Sequence, residues 1–193
     1  SCAAELGFLT VPRQVMIADV QEVASTESRE GRVEQSGPCV SEREREEFAR
    51  LLALAYREHD DRHLHLEVRS EEQAKAFVEA TAAGAFGLTF PDFLRVIRRR
   101  GHVVGGIAGC VVTPGAGFVL QVAVLPEWRG RGLGALLLRE LAARFREAGL
   151  SRIALAVTAS NRARRLYERL GFESVRSFTA CVWRRDISQE GEK

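Results

Sequence analysis

The stretch from Val122 to Gly134 limits what this chain can fold into more than any other. It reads Val-Ala-Val-Leu-Pro-Glu-Trp-Arg-Gly-Arg-Gly-Leu-Gly and runs on into Ala135-Leu-Leu-Leu138. The apolar run is cut by Pro126, which has no N–H to give to a β-ladder. Gly130, Gly132 and Gly134 then fall on alternate residues. Such a sequence folds as a strand, a tight turn and a helix start. Glycine lets backbone N–H groups turn toward a ligand with no Cβ in the way. The helix behind the turn adds unpaired N–H groups and a positive dipole end. Together they predict an anion site, for which a phosphate or pyrophosphate is the usual occupant.

The remaining segments arrange themselves around that unit. Val15 to Val20 is β-branched and reads as a strand, whereas residues 21–40 are polar and aperiodic and read as a linker. Ser41 with Glu44 forms a capping box ahead of a helix whose Phe48, Leu51, Leu52 and Ala55 share one face, ending near His59–Asp61. Ser70 with Gln73 opens a second helix that runs to Gly84. Between them, Arg62 to Val68 alternates polar and apolar residues, as a short strand or a loop would. Leu94–Arg99, His102–Val112 and Phe118–Leu125 are joined by short turns, one of them Thr113-Pro-Gly-Ala-Gly117, and predict an antiparallel meander. The helix after Gly134 ends at Gly149, a glycine in the C′ position. Ser151–Val157 is a strand, Asn161–Leu170 a short helix closed by Gly171, and Val175–Arg184 a final strand or pair. The fold class is therefore mixed α/β on one sheet.

A glycine-rich turn by itself suits several phosphate ligands. The P-loop alternative needs a Gly-Lys-Ser/Thr that does not follow here. A dinucleotide fold spaces its third glycine one place later than Gly134 and places an acid at the end of the next strand, where this chain has Thr158-Ala-Ser-Asn161. Two segments taken together resemble one family. Arg129-Gly-Arg-Gly-Leu-Gly134 is similar to the Gln/Arg-x-x-Gly-x-Gly/Ala signature of the GNAT superfamily of acyl-CoA N-acyltransferases. Ala163-Arg-Arg-Leu-Tyr-Glu-Arg-Leu-Gly-Phe172 is similar to that family's second motif from its alanine onward. Ser160 stands where the family has an asparagine, and Asn161 follows it. The resemblance implies a GNAT-like fold: a central, mostly antiparallel sheet with a splayed parallel strand pair, flanked by helices. It implies an acetyltransferase domain over residues 41–188. Residues 1–40 are then an N-terminal extension with one strand and a linker, and 189–193 a tail.

The resemblance also implies acetyl-CoA as co-substrate. The N–H groups of Arg129, Gly130, Arg131, Gly132, Leu133 and Gly134 would cradle its pyrophosphate. Backbone groups of Val122, Ala123 and Val124 would pair with its pantetheine arm. Ser160 and Asn161 are carried as coenzyme-side positions whose structural role is to cap the helix. Tyr167 matches the family's tyrosine beside the coenzyme sulfur, where a phenol can protonate the departing thiolate. The Val124 N–H is the expected oxyanion donor. The general base stays open: Phe118 and Leu120 occupy the inward strand positions and cannot act, which leaves a water, Gln121, Glu67 or Glu127. His63, His65 and Glu67 have metal-like spacing, but a closed zinc site takes four ligands and no fourth is visible, so no metal is expected.

The expected reaction is transfer of an acetyl group to a primary amine within a ternary complex. A small-molecule amine is favoured over a protein N-terminus or lysine, because Phe178-Thr-Ala-Cys-Val-Trp183 lacks the Tyr-Tyr element common in the family's protein N-terminal acetylases. A non-catalytic acyl-CoA-binding module is the alternative. A net charge of +2 argues against nucleic acid as partner. No apolar run approaches the roughly 18 residues of a membrane span. Four scattered cysteines and no leader-like start predict the cytoplasm. Pairing into a homodimer is an expectation of the family resemblance alone.

Overall fold

The computed structural model describes residues 6–26, 36–57 and 63–183. Its strands are β1 (Phe8–Asp19), β2 (Gly37–Pro38), β3 (Leu94–Arg99), β4 (His102–Thr113), β5 (Ala116–Val124), β6 (Arg152–Thr158) and β7 (Glu173–Trp183). Its helices are α1 (Val20–Ser25), α2 (Glu42–Tyr56), α3 (Glu71–Ala82), α4 (Leu133–Glu147) and α5 (Arg164–Arg169). Both expected caps are formed. The Ser41 side chain accepts from the Glu44 N–H while the Glu44 carboxylate accepts from the Ser41 N–H, and Ser70 accepts from the Gln73 N–H. Each bond satisfies amides that a helix start leaves unpaired.

The described strands make one sheet in the order β2-β3-β4-β5-β6-β1-β7. β3, β4 and β5 form the antiparallel meander read from the sequence. β5 and β6 are parallel, and they pair only over Ala116–Val119 against Arg152–Leu155. Past that point β5 continues to Val124 and β6 to Thr158 with no pairing between them, so the two strands splay. A parallel pair that opens part-way exposes main-chain groups in the middle of a sheet, which is otherwise a feature of its edges.

The N-terminal segment is more structured than its composition indicates. The strand expected at Val15–Val20 is the end of a longer one that begins at Phe8 and pairs with both β6 and β7. Val20 itself starts α1, capped by the Asp19 carboxylate accepting from the Gln21 N–H. Within the expected linker, α1 and the two residues of β2 are therefore ordered elements, and residues 27–35 lie outside the described residues. The expected helix end at His59–Asp61 also lies outside them, as do Arg184 and the tail 189–193. Leu66–Val68 is a 3₁₀ turn and not a strand.

Apolar side chains cover the sheet on both faces. α4 packs Leu137, Leu141 and Phe145 on one, and α2 with α3 packs Phe48, Leu52 and Val78 on the other. Glycines let the two phenylalanine rings lie directly on the strands. A Cβ at Gly106 would stand 2.4 Å from the Phe48 ring, and one at Gly117 would stand 2.3 Å from the Phe145 ring. Phe145 is fully buried and cannot swing into solvent. Gly117→Val is therefore expected to destabilise the fold by at least the ~1–3 kcal/mol typical of overpacking. A urea midpoint equal to the wild type would contradict this packing. Among the described residues no helix is long and apolar enough to cross a membrane.

Candidate active site

The turn after β5 takes the shape its glycines allow. Gly130 and Gly132 both have φ of 74°, in the left-handed region. Gly132 is the N-cap of α4, with no side chain capping it. The first i→i−4 bond of the helix runs from the Leu136 N–H to the Gly132 carbonyl at 3.0 Å. The amides of Leu133, Gly134 and Ala135 thus open the helix ahead of that bond. Gly134 serves packing instead: a Cβ there would come 3.3 Å from Leu166 Cδ2 on α5.

This turn forms one wall of a cleft of about 750 Å³ whose other walls are the end of β5 and the helix α5. Val122, Ala123, Val124, Arg129, Gly130, Gly132, Leu133, Gly134 and Tyr167, all expected at the coenzyme, line it. Arg139 of α4 and Arg169 of α5 line it too, and no acidic side chain does among the described residues. Arg139 lies outside both motifs and Arg169 at an unspecified position of the second; only the fold brings them to the cleft that Arg129 lines. The cleft is thus cationic and bordered by the amides of a helix start, which suits a ligand bearing phosphates.

Other expected residues sit elsewhere. The Arg131 guanidinium lies 4.8 Å over the Trp128 ring and donates to the Glu127 carbonyl at 3.4 Å, so its side chain does not line the cleft. A cation over an indole face is held there by the ring quadrupole. Ser160 is exposed at the tip of the turn after β6 and lines neither cavity. Asn161 shapes the turn ahead of α5, its Oδ1 accepting from the Ala163 N–H at 2.8 Å, while the N-cap of the helix is Ala163 and carries no side-chain cap. Asn161 borders a second, smaller cavity and not the large cleft.

The splayed edge of β5 offers its main chain to the open side. The Leu125 N–H donates to the Val104 carbonyl at 3.0 Å, toward β4. Strand amides alternate, so those of Val122 and Val124 face away from β4. Arg129 Nε donates to the Val124 carbonyl at 3.2 Å, which leaves the Val124 N–H and both polar groups of Val122 facing the open side.

Tyr167 is buried, with its ring centroid 5.9 Å from that of Phe172. It lines both the large cleft and the second cavity, of about 40 Å³, that lies between β5 and β6 where they splay. Val122 also borders both. The smaller cavity carries the feature that the sequence concealed. Of the two expected inward positions Leu120 borders this cavity and Phe118 does not, and the register of β5 against β4 slips between Ala108↔Gln121 and Gly109↔Val119. That bulge shifts the side-chain phase by one residue, and Gln121 becomes the buried polar residue facing the cavity. Its Oε1 accepts from the Tyr56 hydroxyl at 2.7 Å and its Nε2 donates to Glu67 Oε1 at 2.9 Å. Glu67 Oε1 is also 3.0 Å from His65 Nδ1. Burial alone would raise the Glu67 carboxyl; hydrogen bonds from His65, its own backbone N–H and Gln121 outweigh that and hold it below the ordinary carboxylate range. A depressed carboxyl contributes stability above its unfolded pKa and loses it as pH falls through the folded one, so this cluster is intact at neutral pH. Glu127, another candidate base, is exposed and lines neither cavity.

Residues 45–172 match the model of the Acetyltransferase (GNAT) family. The chain is 39% identical over 70 residues to the [Ribosomal protein bS18]-alanine N-acetyltransferase of Haemophilus influenzae, covering 36% of this chain and 48% of that protein. It is 42% identical over 72 residues to the mycothiol acetyltransferase of Corynebacterium aurimucosum, covering 37% of this chain and 23% of that protein. The matched stretch thus spans less than half the length of either relative. Among solved structures, a GCN5-related N-acetyltransferase from Sphaerobacter thermophilus superposes with a TM-score of 0.65 at 19% identity, over 95% of this chain and 56% of that one. The PaiA N-acetyltransferase of Thermoplasma acidophilum, in complex with coenzyme A, superposes with a TM-score of 0.57 at 14% identity, over 72% of this chain and 89% of that one.

Proposed function

Because this chain belongs to the GNAT acetyltransferase family, we propose that it transfers the acetyl group of acetyl-CoA to a primary amine by direct transfer in a ternary complex. The observation that carries this reading is the place of Tyr167, on the boundary between a phosphate-type cleft and a second cavity in the strand splay. Two ligands entering from opposite sides would meet there. The coenzyme A complex of a structural neighbour is in keeping with it.

In this reading Gly130 to Ala135 and Arg129, Arg139 and Arg169 hold the phosphates of the coenzyme, and Val122 aligns its amide-bearing arm. The bound thioester supplies an activated acyl carbon and a thiol leaving group. The Val124 N–H donates to the carbonyl oxygen as negative charge develops on it. The Tyr167 hydroxyl gives its proton to the departing sulfur. The catalytic region is residues 41–188, completed by β1 from the N-terminal extension.

A small amine is the favoured acceptor, ahead of a protein N-terminus or lysine. The cavity beyond Tyr167 is small, about 40 Å³. It has room for an amino group and its first carbon, with the rest of the acceptor outside. The names of the relatives include both a protein and a small molecule, a ribosomal protein's alanine in one and mycothiol in the other. A thiol-release screen with acetyl-CoA against a broad panel of amines tests the reading. Release well above hydrolysis with one class of primary amine is expected. Tight acetyl-CoA binding with release never above hydrolysis would leave a binding module in its place.

A further inference from the structure

The proton that an acceptor ammonium must lose has no destination among the residues that would handle the coenzyme, and the smaller cavity supplies one. We propose that His65 Nε2 is the general base for the acceptor amine and that Glu67 is its positioning residue. This inference rests on the acetyl-transfer reading.

Hydrogen-bond chemistry fixes the direction of the cluster. An ionised carboxylate only accepts, and Glu67 Oε1 stands 3.0 Å from His65 Nδ1 and 2.9 Å from Gln121 Nε2. Both nitrogens must therefore present hydrogens to it, so the 3.0 Å between Gln121 Nε2 and His65 Nδ1 is the approach of two donors to one acceptor and not a bond between them. Gln121 is thereby held with its amide oxygen toward Tyr56, whose hydroxyl donates to it. The opposite amide flip would set two oxygens against each other. With Nδ1 protonated, a neutral imidazole carries its lone pair on Nε2. That nitrogen has no hydrogen-bond partner among the described residues. The ring is held in place by Tyr56, with centroids 4.8 Å apart and planes at 53°, and its side chain is only 14% exposed.

The same ring lines the cavity that Tyr167 and Val122 border. A proton acceptor and a proton donor thus face one space in the splay. The other charged or titratable groups bordering it are Arg13 of β1, Tyr56 of α2 and Tyr167 of α5, with Glu67 behind the imidazole. Arg13 Nη2 donates to the Ala156 carbonyl at 3.0 Å. Its positive charge disfavours a bound ammonium beside it, and Glu67 accepts from Nδ1 on the side of the imidazole away from Nε2. The balance closes as follows. An ammonium N–H breaks and an Nε2–H forms. The freed lone pair makes the C–N bond while the C–S bond breaks and sulfur takes the Tyr167 proton. The nitrogen's second proton restores the phenol, and the imidazolium releases its proton to water.

The test is the pH dependence of kcat/KM for the amine in His65→Gln and Glu67→Gln, with Tyr167→Phe measured in parallel. His65→Gln is expected to lower kcat/KM by about 10²-fold or more and to abolish the acidic limb. Added imidazole should restore part of the rate, and acetyl-CoA affinity should stay that of the wild type. Glu67→Gln, which keeps the shape of the cluster, should shift the acidic limb and slow transfer less. A wild-type rate and acidic limb in His65→Gln, with Tyr167→Phe still slow, overturns this inference and leaves the acetyl-transfer reading standing. Should His65→Gln not fold, an unshifted limb in Glu67→Gln overturns it equally. Absence of transfer by the wild type on every amine overturns both.

Discussion

Tyr167→Phe should lower kcat by roughly 10²–10⁴-fold, the usual worth of a positioned general acid, and leave acetyl-CoA affinity close to that of the wild type. The change removes one oxygen and keeps the ring that packs on Phe172. α5 should stay in place, because Asn161 holds the turn that enters it and the Phe172 N–H closes its end on the Tyr167 carbonyl at 3.0 Å. Loss of rate without loss of coenzyme binding is the signature of a group that acts only as the C–S bond breaks. An unchanged rate across the pH range would show that Tyr167 is a packing residue and that the sulfur takes its proton elsewhere.

Gly132→Val should separate binding from chemistry in the opposite sense. Gly132 has φ of 74° and is the N-cap of α4. A β-branched residue is a steric outlier in that region, and a non-glycine residue forced there costs on the order of 1–3 kcal/mol. The turn can relieve that strain only by turning its amides out of line with the helix start. Since 1.4 kcal/mol is about tenfold in affinity, acetyl-CoA is expected to bind about tenfold more weakly or worse. Calorimetric titration reads this directly. Gly134→Ala is the internal contrast. The added Cβ would meet only the end of the Leu166 side chain at 3.3 Å, so affinity should fall little. Equal affinity in Gly132→Val would remove the turn from the phosphate site.

These two residues were legible in the sequence because local spacing defines them: alternate glycines before an apolar helix, and a tyrosine four places before Gly171. The capped helices and the meander were legible for the same reason. What stayed hidden depends on pairing across long distances. Arg139 and Arg169 reach the cleft only when α4 and α5 fold onto the same strand end. Tyr56, His65, Glu67 and Gln121 lie up to 65 positions apart and meet through side chains alone. Gln121 was obscured further by the bulge after Val119, since strict alternation assigns the inward face to Phe118 and Leu120. The interior position of β1 was hidden as well, because Pro12 and Arg13 break its apolar pattern. There a proline is tolerated, and Arg13 donates its Nη2 to the Ala156 carbonyl on the neighbouring strand.

The most direct measurement of the account as a whole follows the acetyl group. Acetyl-CoA labelled in its acetyl carbons is incubated with the protein and a primary amine that releases thiol, and the products are separated and weighed. Labelled amide is expected in an amount equal to the free thiol, formed slowly by Tyr167→Phe. Label found only in acetate, or retained on coenzyme that binds and leaves intact, would contradict it.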